Sequence, residues 1–137
     1  MIGLPTDVAA PVPVFIRLAA LARWMTREGD TTGDTEIPVA RFLASVYTEP
    51  TAAALVAKLD QGEGAVLLDG LDEVADHNLR ERLRRVVQAL LRRWGDNLVV
   101  LTSRPHGYRE FADLAAMGTA EIDDFDEPEI EIFVDRW

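Results

Sequence analysis

The sequence predicts an α/β fold with an open, mostly parallel sheet and crossover helices. Three observations carry that reading. Strand-like and helix-like segments alternate along the chain. The segment "AVLLD", residues 65–69, is apolar at consecutive positions, as in a parallel strand covered on both faces. Residues 78–94 repeat apolar side chains at helical spacing, as a crossover helix does.

The elements follow in order. "VPVFIRL", residues 12–18, is rich in β-branched and aromatic residues and reads as a buried strand. "AALARWMTRE" continues as a short helix that ends before Gly29. "GDTTGDTE", residues 29–36, is a loop by composition. "IPVARFLASVYTE" reads as a helix with Thr35 as N-cap and Pro38 in its first turn. "PTAAALVAKLDQG" is a further helix, with Pro50 near its start and Gly62 past its end. "AVLLD" is the second strand. In the helix 78–94, Leu79, Leu83, Val86, Val87, Leu90, Leu91 and Trp94 form the apolar face, and Gly95 stops it. Six arginines lie mostly on its other side, where Glu81 has the spacing to pair with Arg84 or Arg85, so this reads as a solvated face. "NLVVLTS" is the third strand. "YREFADLAAMG" reads as a short helix, and "AEID", residues 120–123, as a weak fourth strand. In "DEPEIEIFVDRW" Asp126 and Glu129 have capping-box spacing, and Ile130, Phe133, Val134 and Trp137 share a face.

Bulk properties narrow the function classes. A chain of 137 residues suits one domain with a real core. A net charge of −10 argues against general affinity for nucleic acid or anionic membrane. The absence of cysteine removes disulfides, Cys-ligated zinc and a thiol nucleophile. No apolar run reaches the ~18–20 residues that span a bilayer. The start "MIGLPTDVAAPVPVF" lacks the basic n-region of a signal peptide, so a cytoplasmic protein is expected.

The chemistry concentrates in "AVLLDGLDEV", residues 65–74, where Asp69, Asp72 and Glu73 crowd the end of an apolar strand. Like charges this close need a partner, and Mg²⁺ is the natural cation for hard carboxylates. In open α/β sheets ligands bind at the carboxyl ends of strands. Asp69 and the "TSR" of residues 102–104 both occupy such ends. His77 and His106 lack a second ligand at metal spacing and read as exposed loop residues.

"LLDGLDEV" followed about thirty residues later by "VVLTSRP" resembles the NACHT family of P-loop NTPases, within the STAND class of signalling ATPases and GTPases. "PVFIRLAALA", the two helices before the acidic strand, the arginine-rich helix after it and "IDDFDEPEIEIFVDRW" match family segments in order. The resemblance implies a three-layer P-loop NTPase-like fold over residues 1–137, with the Walker B motif at 65–74 and a sensor motif at 99–105. It implies that Asp69 holds Mg²⁺ through water. Asp72 or Glu73 then orients or deprotonates the attacking water. Arg104 senses the terminal phosphate or ties down the acidic motif, with Thr102 and Ser103 adding hydroxyl contacts. The implied cofactor is Mg²⁺ with ATP or GTP. The implied partners are the nucleotide, a P-loop segment, C-terminal sensor domains and a NACHT-type oligomer, with no nucleic acid and no membrane.

One departure is large. No GxxxxGK[ST] occurs in the chain, and the single lysine, Lys58, has no glycine loop before it. By resemblance, the missing P-loop strand belongs in the middle of the sheet, between the strand ending at "TSR" and "AEID". The chain thus looks like a NACHT core cut at both ends and unable to hydrolyse nucleotide alone. The third strand is then expected to keep an unpaired edge, or to take "AEID" as a substitute neighbour. Two rivals remain: a catalytically silent binding module acting through protein partners, and a metal-dependent phosphoesterase using the three carboxylates.

Overall fold

The computed structural model of the chain describes residues 10–28, 38–108 and 117–137. The expected loop at 29–36, the Thr35 cap and most of the helix expected at 108–118 lie outside those residues. The elements are β1 (Val12–Arg17), α1 (Leu18–Glu28), α2 (Pro38–Val46), α3 (Glu49–Asp60), β2 (Gly64–Asp69), α4 (His77–Trp94), β3 (Leu98–Leu101), a one-turn α5 (Pro105–Tyr108) and α6 (Glu127–Arg136). A 3₁₀ turn, Leu71–Glu73, joins β2 to the approach to α4.

The three strands form one all-parallel sheet in the order β1-β2-β3. The α/β class and the parallel pairing therefore stand. Val14 pairs with Val66 and Ile16 with Leu68, and β3 adds Val99 and Leu101 to the same rows. This face meets the helices. Leu18, Leu21, Ala22 and Met25 of α1 recur at i, i+3, i+4 and i+7 and are all buried. Val39, Phe42 and Leu43 of α2, Leu59 of α3, and Leu83, Val86, Val87, Leu90 and Trp94 of α4 complete one continuous core. Trp24 and Phe42 meet edge to face with centroids 5.9 Å apart.

Two side chains tie the bottom of this layer together. Asn97 is buried and bridges three elements: its Oδ1 accepts from Gly64 N at 2.7 Å, and its Nδ2 donates to the carbonyls of Leu59 (2.8 Å) and Trp94 (2.9 Å). Asp60, the last residue of α3, accepts from the Trp94 indole at 2.7 Å and from Arg93 in a two-pronged contact.

The structure departs from the sequence reading at three places. The two-sided covering expected for β2, and with it the third layer, is not built by the described residues. Pro13, Phe15, Ala65, Leu67, Leu98 and Val100 form the opposite sheet face, where Phe15, Leu98 and Val100 are 53%, 58% and 40% exposed. The reason is topological. Right-handed crossovers that step in one direction deliver every helix to the same face. Second, residues 120–123 form no strand and lie exposed, so "AEID" does not pair with β3, whose outer edge has no partner among the described residues. Four residues without a neighbouring ladder have nothing to hold them extended. Third, His77 opens α4 instead of lying in a loop.

α6 forms as predicted and buries nothing. Glu129 N donates to Asp126 Oδ1 (2.9 Å), and Asp126 N donates to Glu129 Oε2 (3.1 Å), which closes the capping box. Phe125, Phe133 and Trp137 stack along it at 5.8 and 5.7 Å, all exposed to solvent.

Candidate functional site

The carboxyl ends of β2 and β3 lie side by side, and their sequence-adjacent acids and hydroxyls meet there. Thr102 continues the ladder past β3: its N–H donates to the Leu68 carbonyl (2.9 Å), and its own carbonyl accepts from Leu71 N (3.1 Å). That docking brings Thr102 Oγ1 to Asp69, where it donates to Oδ1 at 2.7 Å and accepts from Gly70 N at 3.1 Å. Gly70 has φ +77°, and a Cβ there would meet the Glu73 side chain at 2.9 Å. Only glycine lets the chain turn this sharply after Asp69.

The turn then separates the two later acids. Asp72 accepts from the backbone N–H of Arg104 (3.2 Å), and its other oxygen lies 3.4 Å from the Arg104 guanidinium. Asp72 is sheltered, with its side chain 24% exposed, whereas Arg104 is 86% exposed and reaches into solvent. Gly107 of α5 lies against this pair, since a Cβ there would come within 2.8 Å of both Asp72 Cβ and Ser103 Oγ. Ser103 Oγ donates to the Arg104 carbonyl (2.9 Å), which stabilises the turn. Glu73 faces the other way, 4.0 Å from the guanidinium of Arg17 at the end of β1.

Charge crowding in "DGLDE" is thus relieved by three different donors: Thr102 for Asp69, Arg104 for Asp72 and Arg17 for Glu73. A cation shared by all three is not the geometry present. Among the described residues, no group of three His, Asp or Glu side chains is placed to hold a metal ion. The two-metal arrangement that the phosphoesterase alternative needs is therefore not found in this part of the chain. Asp69 alone fits a narrower role. It keeps one oxygen beyond the Thr102 bond, and Mg²⁺ in phosphate sites is commonly held by one or two carboxylates with water and phosphate oxygens. The donor set fits a metal brought by a phosphate ligand and not one caged by this protein.

No family model matches this chain, and no curated protein or solved structure matches it significantly. The rim's chemistry therefore rests on its own residues. The structure brings Asp69 to Thr102 and Asp72 to Arg104, and leaves Glu73 apart. Two contributors were not singled out from sequence: Arg17 and Gly107. Arg17 lies opposite Asp69 in the register of β1 and β2, a relation visible only once those strands are paired. Gly107 stood two residues past "SRP", a position with no motif of its own.

A groove of about 350 Å³ runs between α1 and the start of α4, lined by Ala19, Ala22, Arg23, Thr26 and Arg27 on one side and Glu73 to Asp76 and Leu79 on the other. It borders Glu73 but does not include Asp69, Thr102 or Arg104, so the rim is an open surface and not the wall of this groove. No helix among the described residues is long and apolar enough to cross a membrane.

Proposed function

We propose that this chain is the metal- and sensor-bearing part of a NACHT-type nucleotide switch of the STAND class. The observation that supports it most is the coupling of two strand ends: Asp69 with Thr102, and Asp72 with Arg104, on adjacent parallel strands. This is the neighbourhood in which a Walker B strand and a sensor strand are expected to report on one phosphate. A magnesium nucleotide, when bound, supplies the electrophilic phosphorus and the charge that the metal screens. Asp69, oriented by the Thr102 hydroxyl, would hold the hydrated metal. Asp72 is committed to Arg104, so it positions the guanidinium instead of taking a proton. Glu73 is the carboxylate left to orient or deprotonate water. The open edge of β3 is where a strand carrying GxxxxGK[ST] belongs in this reading, because that loop supplies most of the phosphate grip.

Intact mass measured in the cell that makes the protein tests the reading. A mass above 15.2 kDa, with a GxxxxGK[ST] loop before residue 12 and Mg²⁺-dependent ATP or GTP hydrolysis that Asp69→Asn abolishes, is the expected result. A mass of 15.2 kDa, or hydrolysis indifferent to Asp69→Asn, overturns it. The open apolar sheet face then favours a second reading, a nucleotide-independent binding module.

A further inference from the structure

We propose, on the reading above that Glu73 orients water, that Arg17 at the end of β1 is its positioning residue. Arg17 holds the Glu73 carboxylate over the turn that follows Asp69. The first strand of the sheet thereby contributes to a rim otherwise built by β2 and β3.

A glutamate on an exposed turn has three rotatable bonds and loses rotamer freedom when it is held in one place. Two features oppose that loss here. Gly70 leaves an open slot. A Cβ there would meet Glu73 Cδ at 2.9 Å, and its Cγ and Oε2 at 3.2 Å, so the side chain lies folded back over the glycine. Arg17 supplies the charge. Its guanidinium stands 4.0 Å from Glu73 Oε2 and is the cation that faces this carboxylate among the described residues.

Topology delivers Arg17 to this place. It pairs in register with Asp69, two positions beyond the pair of Phe15 and Leu67, so it ends a row that Phe15 begins. A strand end is a firmer mount than a loop for a side chain that must aim another.

The pair adds direction more than stability. Both side chains are about half exposed or more, and water screens such a contact. Asp69 and Asp72 have partners of their own in Thr102 and Arg104. Arg17 approaches Oε2, which leaves Oε1 for a water. A carboxylate acting on water must stand within hydrogen-bond reach of it, and a misplacement of about 1 Å can cost about 10²-fold in rate.

Two measurements test the proposal, with circular dichroism to verify that each variant folds. The first is NMR of the ¹⁵N-labelled 137-residue chain, and it needs no nucleotide. Arg17→Met should move the Gly70 amide resonance, Arg17→Lys should largely restore it, and on a Glu73→Ala background Arg17→Met should move it no further. A Gly70 resonance indifferent to Arg17→Met overturns the proposal. The second is Mg²⁺-dependent hydrolysis by the complete protein as the cell makes it. Arg17→Met should lower kcat about 10- to 100-fold and leave the nucleotide KM unchanged. Arg17→Lys should recover most of that loss, and adding Arg17→Met to Glu73→Gln should lower kcat no further. Hydrolysis that Asp69→Asn abolishes and Arg17→Met leaves untouched overturns this proposal alone. So does a loss that adds in full to that of Glu73→Gln. Hydrolysis indifferent to Asp69→Asn, or absent from the complete protein, overturns the nucleotide reading and this proposal together.

Discussion

Asn97 concentrates more structural work than any charged residue of the rim. Its side chain accepts from Gly64 N and donates to the Leu59 and Trp94 carbonyls, at the meeting of α3, α4 and β2. Asn97→Ala takes the side-chain partner from Gly64 N–H, while the two carbonyls keep backbone donors, so we expect a loss of about 1–3 kcal/mol, read from urea unfolding. Asp60 beside it gives a pH signature. The Trp94 indole N–H, and after it Arg93, hold its carboxyl below the usual carboxylate range, against the desolvation that pushes it up. A depressed carboxyl contributes stability above its unfolded pKa and loses it as the pH falls through the folded value. The wild-type melting temperature should therefore drop on acidification below about pH 4 more steeply than that of Asp60→Asn, and the gap between them should narrow. Neither residue was legible in the sequence. Their roles depend on where a helix end meets a loop some 34 residues away, and no local spacing records that. The rim was legible because strand ends carry it: once 65–69 and 97–103 are read as neighbouring parallel strands, Asp69 and Thr102 must be close.

The helices divide into those held by the core and one held by its own sequence. α4 buries five side chains along one stripe, and its start is fixed by Asp76 accepting from Leu79 N. Leu83→Ala should cost about 3–5 kcal/mol, because a fully buried leucine leaves both a lost transfer term and a cavity. The matched change Ile132→Ala in α6 should stay within about 0.5 kcal/mol, since that side chain lies half in solvent and off the apolar stripe. Denaturation curves of the two variants side by side check the contrast. Both helices were readable for the same reason. Their signals, a 3.6-residue repeat and a capping box, are complete within a few turns. "AEID" failed as a strand because strands need a neighbour, and a four-residue apolar-polar alternation cannot say whether one is there. The covering of the second sheet face failed likewise: consecutive apolar residues in β2 record how little water it meets, not which layer excludes it.

The whole molecule is electrically lopsided. Residues 121–137 hold eight of the twenty-four carboxylates and one of the fourteen basic side chains, so seven of the ten net negative charges lie there. The core lies elsewhere. A chain ending at Ala120 should keep its cooperative transition, with a melting temperature within about 4 °C of the full chain, when both are measured dilute enough to be monomeric. Scanning calorimetry decides it, and a larger fall would mean that α6 supports the core. The sheet order has a consequence for biosynthesis. Because the three described strands are laid down in the order in which they stand, none of them has to be threaded between two that are already joined. β1 ends at residue 17 and its partner is complete only at residue 69. At about 5–20 residues per second, β1 waits on the order of 3–10 s for that partner on the ribosome. During that interval Phe15 and Ile16 are apolar residues of an unpaired strand that a nascent-chain chaperone could bind.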